Sequence, residues 1–418
     1  MKEKLKSLTA IFYSPILIYF IFFVIISLVA IASATPIARF QQYGGNFVVR
    51  QLIFFGIGIM VVGLILIFEV RRIRFLRWVL YILSLVALVF IYQVGTDDPC
   101  LYDGLIVPCL NGATRWIQLP AFQLQPSEFI RIALILIVAD IIQKHNEKFP
   151  HESRTFKSDL WLIMKSLIFI IPPAYFIYAQ PDTGITILIM ITVAFMLITA
   201  GVKWTYIIAV AILSVVVAST FLTLVINDPD VLTDTGFFHA HQFGRIYGWL
   251  DPFEDIADRG MQLSHGLLGM GTGGIFGHGF ASAEIFFPEA HTDFIFAVIG
   301  MDFGLIGSSV VVIVGLLFNF SVLNTAVLNR DHYNGHICVG IFASLMAQQF
   351  WNIGMTLGLL PITGVTLPFI SHGGSSVVAS MIMLGLVLSS HAEGVTINRN
   401  ITIYREDISY LEEKEVVV

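Results

Sequence analysis

Stretches of about twenty apolar residues decide what this chain can become, because each is long enough to cross some 30 Å of hydrocarbon as a helix. Ten such windows follow one another between charged or Gly/Pro breaks: Ser14 to Ala34, Gln51 to Phe68, Phe75 to Val94, Ser127 to Ile142, Leu160 to Ala179, Thr183 to Gly201, Trp204 to Ile226, Asp293 to Phe320, Gly335 to Leu360 and Gly374 to Ser389. A helix satisfies its own backbone hydrogen bonds, which hydrocarbon cannot do for it. The expected fold is an all-α polytopic membrane protein of ten transmembrane helices, with residues 1–418 as one membrane domain. Only 12% of the residues are charged, half the share a water-soluble domain carries, which excludes a cytosolic enzyme. A net charge of -6 without a long basic run excludes a nucleic-acid partner. No small-residue cleavage site follows the first apolar stretch, so it is read as a retained helix.

The placement of Lys and Arg sets the orientation. With the N-terminus in the cytoplasm, sixteen of the twenty-three basic residues fall inside: Lys2, Lys4, Lys6, Arg71, Arg72, Arg74, Arg77, Lys144, Lys148, Arg154, Lys157, Lys203, Arg330, Arg399, Arg405 and Lys414. Outside lie Arg39, Arg50, Arg115, Arg245 and Arg259, and Arg131 and Lys165 fall within spans. One missed helix would invert the bias for everything after it, so both termini are placed in the cytoplasm. Two external segments are long, residues 95–126 and residues 227–292 between the seventh and eighth spans, whereas 390–418 reads as a hydrophilic cytoplasmic tail. Long external loops are where function is expected to sit.

Ionisable groups inside spans are costly and call for an explanation. Arg77, Asp140 and Lys165 lie near cytoplasmic ends, where snorkelling suffices. Glu128 and Arg131, three apart, share one face near the external end of the fourth span, as a structural ion pair or as part of a polar cavity. Asp302 lies in the eighth span, facing either a watery interior or a packing contact. Asp293 opens that span after Glu289, His291 and Thr292, and Asp182 precedes Thr183; each carboxylate suits a helix cap or chemistry in an external cleft. The glycines at 269, 271, 273, 274, 277 and 279 lack the preceding strand of a dinucleotide site; close packing or anion binding by backbone amides fits them better. His239, His241, His265, His278 and His291 do not form a recognisable metal pattern. Cys100 and Cys109 share the first external loop, where a disulfide and two free thiols are equally open.

A reaction on the outer face has no ATP, so its substrate must carry its own leaving group. Lipid-linked pyrophosphates do: the isoprenoid tail suits a groove between helices, the pyrophosphate suits arginines, and the sugar suits a carboxylate at the water boundary. Asp293 with Arg115, Arg131 and Arg245 would make such a constellation if the fold brings them together.

Five blocks carry a closer reading: Gly112-Ala113-Thr114-Arg115-Trp116-Ile117-Gln118-Leu119 with Phe122-Gln123-Leu124-Gln125-Pro126-Ser127-Glu128-Phe129-Ile130-Arg131; Gln180-Pro181-Asp182-Thr183-Gly184; residues 269–279; Pro288-Glu289-Ala290-His291-Thr292-Asp293-Phe294-Ile295-Phe296; and Leu367-Pro368-Phe369-Ile370-Ser371-His372-Gly373-Gly374-Ser375-Ser376. In order and content they resemble the SEDS family of RodA, FtsW and SpoVE proteins, and the short termini lean toward the elongation type. The resemblance implies a peptidoglycan glycosyltransferase in the bacterial cytoplasmic membrane that polymerises lipid II on the outer face. One sugar hydroxyl attacks the anomeric carbon of another lipid II, and undecaprenyl pyrophosphate leaves with inversion. Asp293 matches the family's essential carboxylate, as general base or orienter of the hydroxyl. Arg115, Glu128, Arg131, Asp182, Glu289, His291, Ser371 and Ser375 fall in the matching blocks and are expected to bind substrate, Glu128 and Arg131 by shaping or charging the cavity near the pyrophosphate. The implied partner is a class B penicillin-binding protein that crosslinks the product. No cofactor is implied; a divalent cation, Mg or Mn, at the pyrophosphate stays open.

The chain departs from the family in two places that matter. Most members read Glu-Glu where this chain has Met301-Asp302, and the family's usual Lys is Arg131, which keeps charge but changes hydrogen-bond geometry. Two other classes of function compete: a flippase for lipid II, which needs polar residues along a path but no base, and a non-catalytic scaffold for the wall-synthesis machinery.

Overall fold

The computed structural model describes residues 14–40, 46–68, 72–95, 106–108, 113–119, 122–150, 154–227, 231, 240–256, 258, 260–282, 284–329 and 332–415. Every apolar window of the sequence is occupied by a helix. In chain order these are α1 (Pro15–Phe40), α2 (Phe47–Phe68), α3 (Leu76–Val94), α4 (Pro126–Lys148), α5 (Phe156–Ala179), α6 (Thr183–Thr199) and α7 (Trp204–Asn227). Two helices of the long loop follow, α8 (Ala240–Leu250) and α9 (Met261–Gly273), and then α10 (Ile295–Leu328), α11 (His332–Thr356) and α12 (Gly374–Glu415). Seven of them, α1, α2, α3, α5, α10, α11 and α12, are long and apolar enough to cross a membrane by length and composition. Of the other three windows, α4 carries several charges and α6 has 17 residues.

Three boundaries differ from the sequence reading. Helix α12 continues to Glu415, through the segment read as a plain tail. The connection between α3 and α4 contains a small antiparallel hairpin, Ile117–Gln118 (β1) paired with Gln123–Leu124 (β2), so the fold is not wholly helical. Asp293 lies in the turn before α10, whose N-cap position is Phe294.

Burial sorts the helices by what their residues tolerate. In α4 every residue from Pro126 to Asp140 except Phe129 is buried, which removes Glu128, Arg131 and Asp140 from any lipid-facing surface. Over their most apolar windows 83% of α12 and 67% of α11 are buried, against 22% of α2. The outer helices present apolar side chains such as Ile59, Met60, Leu83 and Val215, a surface that suits hydrocarbon. Arg77 does not snorkel: its Nη2 donates to Asp140 Oδ2 at 3.1 Å, and Lys144 Nζ reaches the same oxygen at 2.9 Å. The Arg74 guanidinium sits 4.1 Å above the Tyr333 ring, tying the segment before α3 to α11.

Helix α10 is broken, and the break explains the glycine-rich stretch. At Gly304 the backbone turns to φ 63°, ψ -157°, a region open in practice to glycine alone. The backbone groups released there are taken up by the segment after α9. His278 N–H donates to Met301 O (3.0 Å) and Gly279 N–H to Asp302 O (3.0 Å), while Leu305 N–H and Ile306 N–H donate to Gly274 O (3.0 Å) and Ile275 O (3.2 Å). A non-helical chain at this depth is tolerated because its polar groups are paired within the protein. The glycines are therefore used for close backbone approach. Asp302 closes the same joint: it accepts from Ser282 Oγ at 2.6 Å and from Ser33 Oγ of α1. Met301, where the family usually has Glu, is fully buried with its sulfur against Gly269 of α9, in a contact that suits an apolar side chain.

A Cβ on Gly304 would lie 2.5 Å from both Gly277 N and Ile275 O. Gly304→Ala is expected to cost more than the roughly 1–3 kcal/mol of backbone strain alone, read as a lowered Tm of the protein in detergent.

Candidate active site

Three segments converge where α10 begins: the turn 288–294, the loop 361–373 between α11 and α12, and the strand region of residues 113–119 and 122–125. Their meeting follows from local chemistry. Asn352 of α11, fully buried, donates through Nδ2 to Asp293 O (2.7 Å) and to Val365 O (2.7 Å), joining the turn to the loop. His372 N–H donates to His291 O at 2.9 Å. Ser375 Oγ accepts from Gln125 N–H (2.9 Å) and donates to Gln123 O (2.8 Å), which fixes the hairpin to the start of α12. Ser371 Oγ accepts from Leu367 N–H at 2.8 Å and holds the turn that enters α12. Both serine hydroxyls thus bind backbone.

Asp293 sits at the centre, half-buried. Its carboxylate does not cap α10; Oδ1 accepts from the Thr292 hydroxyl at 2.7 Å. Thr292 Oγ1 also lies 2.6 Å from Glu289 Oε2, so two carboxylates flank one hydroxyl. Glu289 takes a positive φ of 54°, uncommon for a side-chain-bearing residue, and its carbonyl accepts from the N–H groups of Thr292 and Phe294, both at 3.1 Å. Burial first, and the neighbouring charge of Glu289 second, push the Asp293 carboxyl up to about 6, while the Thr292 hydrogen bond and Arg115 act the other way.

The other edge of Asp293 faces arginine across a glycine. Gly364 has φ +71°, and a Cβ built on it would lie 3.3 Å from Arg115 Nη2 and 3.4 Å from Asp293 Oδ2. Arg115 pairs with Asp182 (3.4 Å) and stacks 4.4 Å from the Trp116 ring centroid. Asp182 occupies the N-cap position of α6 without capping it; its oxygens accept from Gln125 Nε2 (2.9 Å), Ser127 Oγ (3.0 Å) and Arg115. Arg245 of α8 joins the group: burial, then the like charge of Arg115, push its guanidinium below the usual range, and Asp293 and Asp182 offset this. Of the constellation Asp293, Arg115, Arg131 and Arg245, the fold assembles all but Arg131.

Arg131 is instead fully enclosed one layer below. It donates to Glu128 Oε2 at 2.7 Å and to Gln348 Oε1 at 2.8 Å, and Gln348 Nε2 donates to Thr366 O at 3.0 Å. Thr366 Oγ1 lies 2.7 Å from Ser376 Oγ. The pair belongs to an internal network that supports the loop 361–373 from beneath, through every polar atom of the Arg131 guanidinium but its buried Nε, which has no hydrogen-bond partner among the described residues. His291 is buried, its ring 4.6 Å from Phe47 and 5.7 Å from His372. Burial pushes His291 down, with Glu289 acting the other way, and burial, His291 and Arg50 push His372 down to about 3, so the His372 imidazole is uncharged near neutral pH. His372 Nδ1 lies 3.2 Å from Gln51 Oε1, and Gln51 Nε2 donates to Ser27 Oγ and Ser371 O, tying α1 and α2 to the loop.

Cys100, Cys109 and His239 lie outside the described residues. Among those described, no three His, Cys, Asp or Glu side chains form a metal-ligand group; His265 Nδ1 faces Phe286 O at 2.8 Å and His278 faces Glu284. Residues with no role in the sequence reading now have one: Gly364, Thr292, Asn352 and Gln348. Gly364 stands in Pro361-Ile-Thr-Gly-Val-Thr, a short polar run between two spans, the signal that would have found it.

Two substitutions test this geometry. Gly364→Ala is expected to keep the fold but lose activity at least tenfold, because its methyl enters the space between Arg115 and Asp293; turnover at matched amounts of folded protein reads it. Arg131→Met leaves Glu128 buried without its cation and is expected to cost about 3–5 kcal/mol, partly recovered when Glu128→Gln accompanies it, as read by Tm in detergent.

The family model described as "Cell cycle protein", covering FtsW, RodA and SpoVE, matches residues 13–394. Stage V sporulation protein E of Bacillus subtilis (strain 168) is 28% identical over 369 residues, covering 87% of this chain and 92% of that one. The probable peptidoglycan glycosyltransferase FtsW of Geobacter sulfurreducens is 30% identical over 368 residues, covering 86% of this chain and 90% of that one. A chain in a peptidoglycan synthase complex, described as coordinating polymerization and crosslinking, superposes with TM-score 0.70 at 24% identity, covering 91% of this chain and 97% of that chain. Fold, motif order and the match over nearly the whole length agree: the chain belongs to the FtsW/RodA/SpoVE family of multi-pass membrane proteins.

Proposed function

We propose that this protein is a peptidoglycan glycosyltransferase that polymerises lipid II at the outer face of the cytoplasmic membrane. The observation that carries the reading is the placement of Asp293: a half-buried carboxylate held near pKa 6, faced across Gly364 by Arg115, with Arg245 close by. A general base needs a pKa near the working pH, and a departing pyrophosphate needs fixed cationic donors. The basic-residue asymmetry supports ten spans with both termini inside, which puts this site outside. The name of the Geobacter relative supports the activity, and the similar chain in a synthase complex supports a class B penicillin-binding protein as partner.

In this reading Asp293 takes the proton of the attacking sugar hydroxyl. The hydroxyl oxygen bonds to the anomeric carbon of the second lipid II from the face opposite the leaving group, and the C–O bond to pyrophosphate breaks with its electron pair. Arg115 and Arg245 meet the charge that develops there. Arg115 keeps its position through Asp182 and Trp116. The Glu128–Arg131 pair acts by holding the loop that carries Gly364.

Glycan formation from purified lipid II is the test. Asp293→Ala and Asp293→Asn are expected to lower the rate by about 10²–10⁴-fold with unchanged folding. Equal polymer from wild type and Asp293→Ala would overturn the assignment of Asp293 as base, and no polymer from either, with the partner present and the protein folded, would overturn the reading in favour of a flippase or scaffold. Because the base must be ionised, the wild-type rate is expected to rise with pH through about 6, with roughly a tenth of the plateau left one unit below that value.

A further inference from the structure

The base has two edges with different neighbours. Oδ2 of Asp293 looks toward Gly364 and Arg115, while Oδ1 is bonded to Thr292 Oγ1 at 2.7 Å. On the far side of that hydroxyl, 2.6 Å away, is Glu289 Oε2. A hydroxyl donates one proton and accepts another, so one held between two carboxyl groups at these distances passes a proton in either direction. The placement is built rather than incidental: the positive φ of Glu289, with its carbonyl bonded to Thr292 N–H and Phe294 N–H, folds the turn so that both carboxyls reach one oxygen.

Each bond formed delivers a proton to Asp293, which must lose it before the next. The Oδ2 edge is a poor exit, because Arg115 and Arg245 repel a proton there. Resting on the assignment of Asp293 as base, we propose that Thr292 and Glu289 are the exit for the reaction proton, linking the half-buried base to the carboxylate of Glu289 on the side away from Arg115. Rotation of the Asp293 carboxyl carries the proton from the substrate edge to the Thr292 edge. Asp293 then gives it to Thr292 Oγ1 as that hydroxyl gives its own proton to Glu289 Oε2, and Glu289 releases it to water. One proton enters and one leaves, and both residues end as they began. Thr292 and Glu289 act through Asp293 and so are positioning residues.

The experiment is glycan polymerisation by the purified full-length protein, assayed with Thr292→Val, Thr292→Ser, Glu289→Gln and Asp293→Ala across pH and in mixed H2O/D2O. Thr292→Val is expected to lower turnover at least tenfold with KM for lipid II unchanged, and Thr292→Ser to restore it to within about twofold. Glu289→Gln removes the neighbouring charge that raises Asp293, so its acid limb moves to lower pH while its plateau rate falls. Rate against deuterium fraction is expected to curve in the wild type, where more than one proton moves, and to straighten in Thr292→Val. Wild-type plateau rates and wild-type curvature in both Thr292→Val and Glu289→Gln, with Asp293→Ala inactive, would overturn the relay and leave the base in place. An active Asp293→Ala would overturn both. Should Thr292→Val not fold, Glu289→Gln decides alone.

Discussion

A charge cannot face hydrocarbon without large cost, and the rest of this structure is arranged around that fact. Helix α4 carries Glu128, Arg131 and Asp140, so it has to be surrounded, and α3, α5, α6 and α11 surround it. Once α4 is central, the hairpin before it is brought against the start of α12 and the turn at Asp182, with Arg115 and Gln125 flanking it. The same enclosure gives Arg131 a reach to Gln348 and so to the loop after α11. A buried ion pair adds little net stability, since desolvation offsets attraction, but it demands one arrangement of its partners. Here that demand fixes the floor on which the site stands.

Much of this was legible in the sequence for a simple reason. Apolar length sets where a chain crosses a membrane, and the ten windows, each filled by a helix, are set by that term alone. Asp293, Arg115, Asp182 and Glu289 were legible because motifs placed them in external segments, and the fold brings them to one place. What could not be read was the destination of each polar atom. Asp182 and Asp293 both precede a helix, where a cap is the local expectation, yet tertiary donors reach both carboxylates first. Ser371 and Ser375 stand in a substrate-like motif but spend their hydroxyls on backbone. Arg77 lies where it could snorkel, but it pairs with the buried Asp140 instead. Helix α12 runs past the apolar window because hydrophobicity marks where a membrane helix leaves lipid, not where the helix stops.

The glycine stretch shows how a motif misleads when its context is ignored. Spacing alone permits a phosphate cradle, and what decides against it is a second chain segment that needs the same amides. The break at Gly304 exposes donors and acceptors that must be paired, and residues 274–279 pair them. Asp302 then locks α1 to this joint through Ser33, and Met301 fills the apolar contact with α9. The departure from the family at Met301 thus falls in packing between two helices, away from the carboxylate turn.

Gly364 has a wider meaning for the electrostatics of the site. Left to themselves, Arg115 and Asp293 would close on one another and neutralise their charges, and a collapsed pair can neither take a proton nor greet an anion. Arg115 is instead held back by Asp182 and Trp116, and Asp293 by Thr292 and by Asn352 on its carbonyl, with a residue lacking a side chain between them. The result is the protein counterpart of a frustrated acid–base couple: opposite charges kept within each other's field and denied contact. The work of separating them is done once, by folding, and is then available at every encounter with a substrate that satisfies both at the same time.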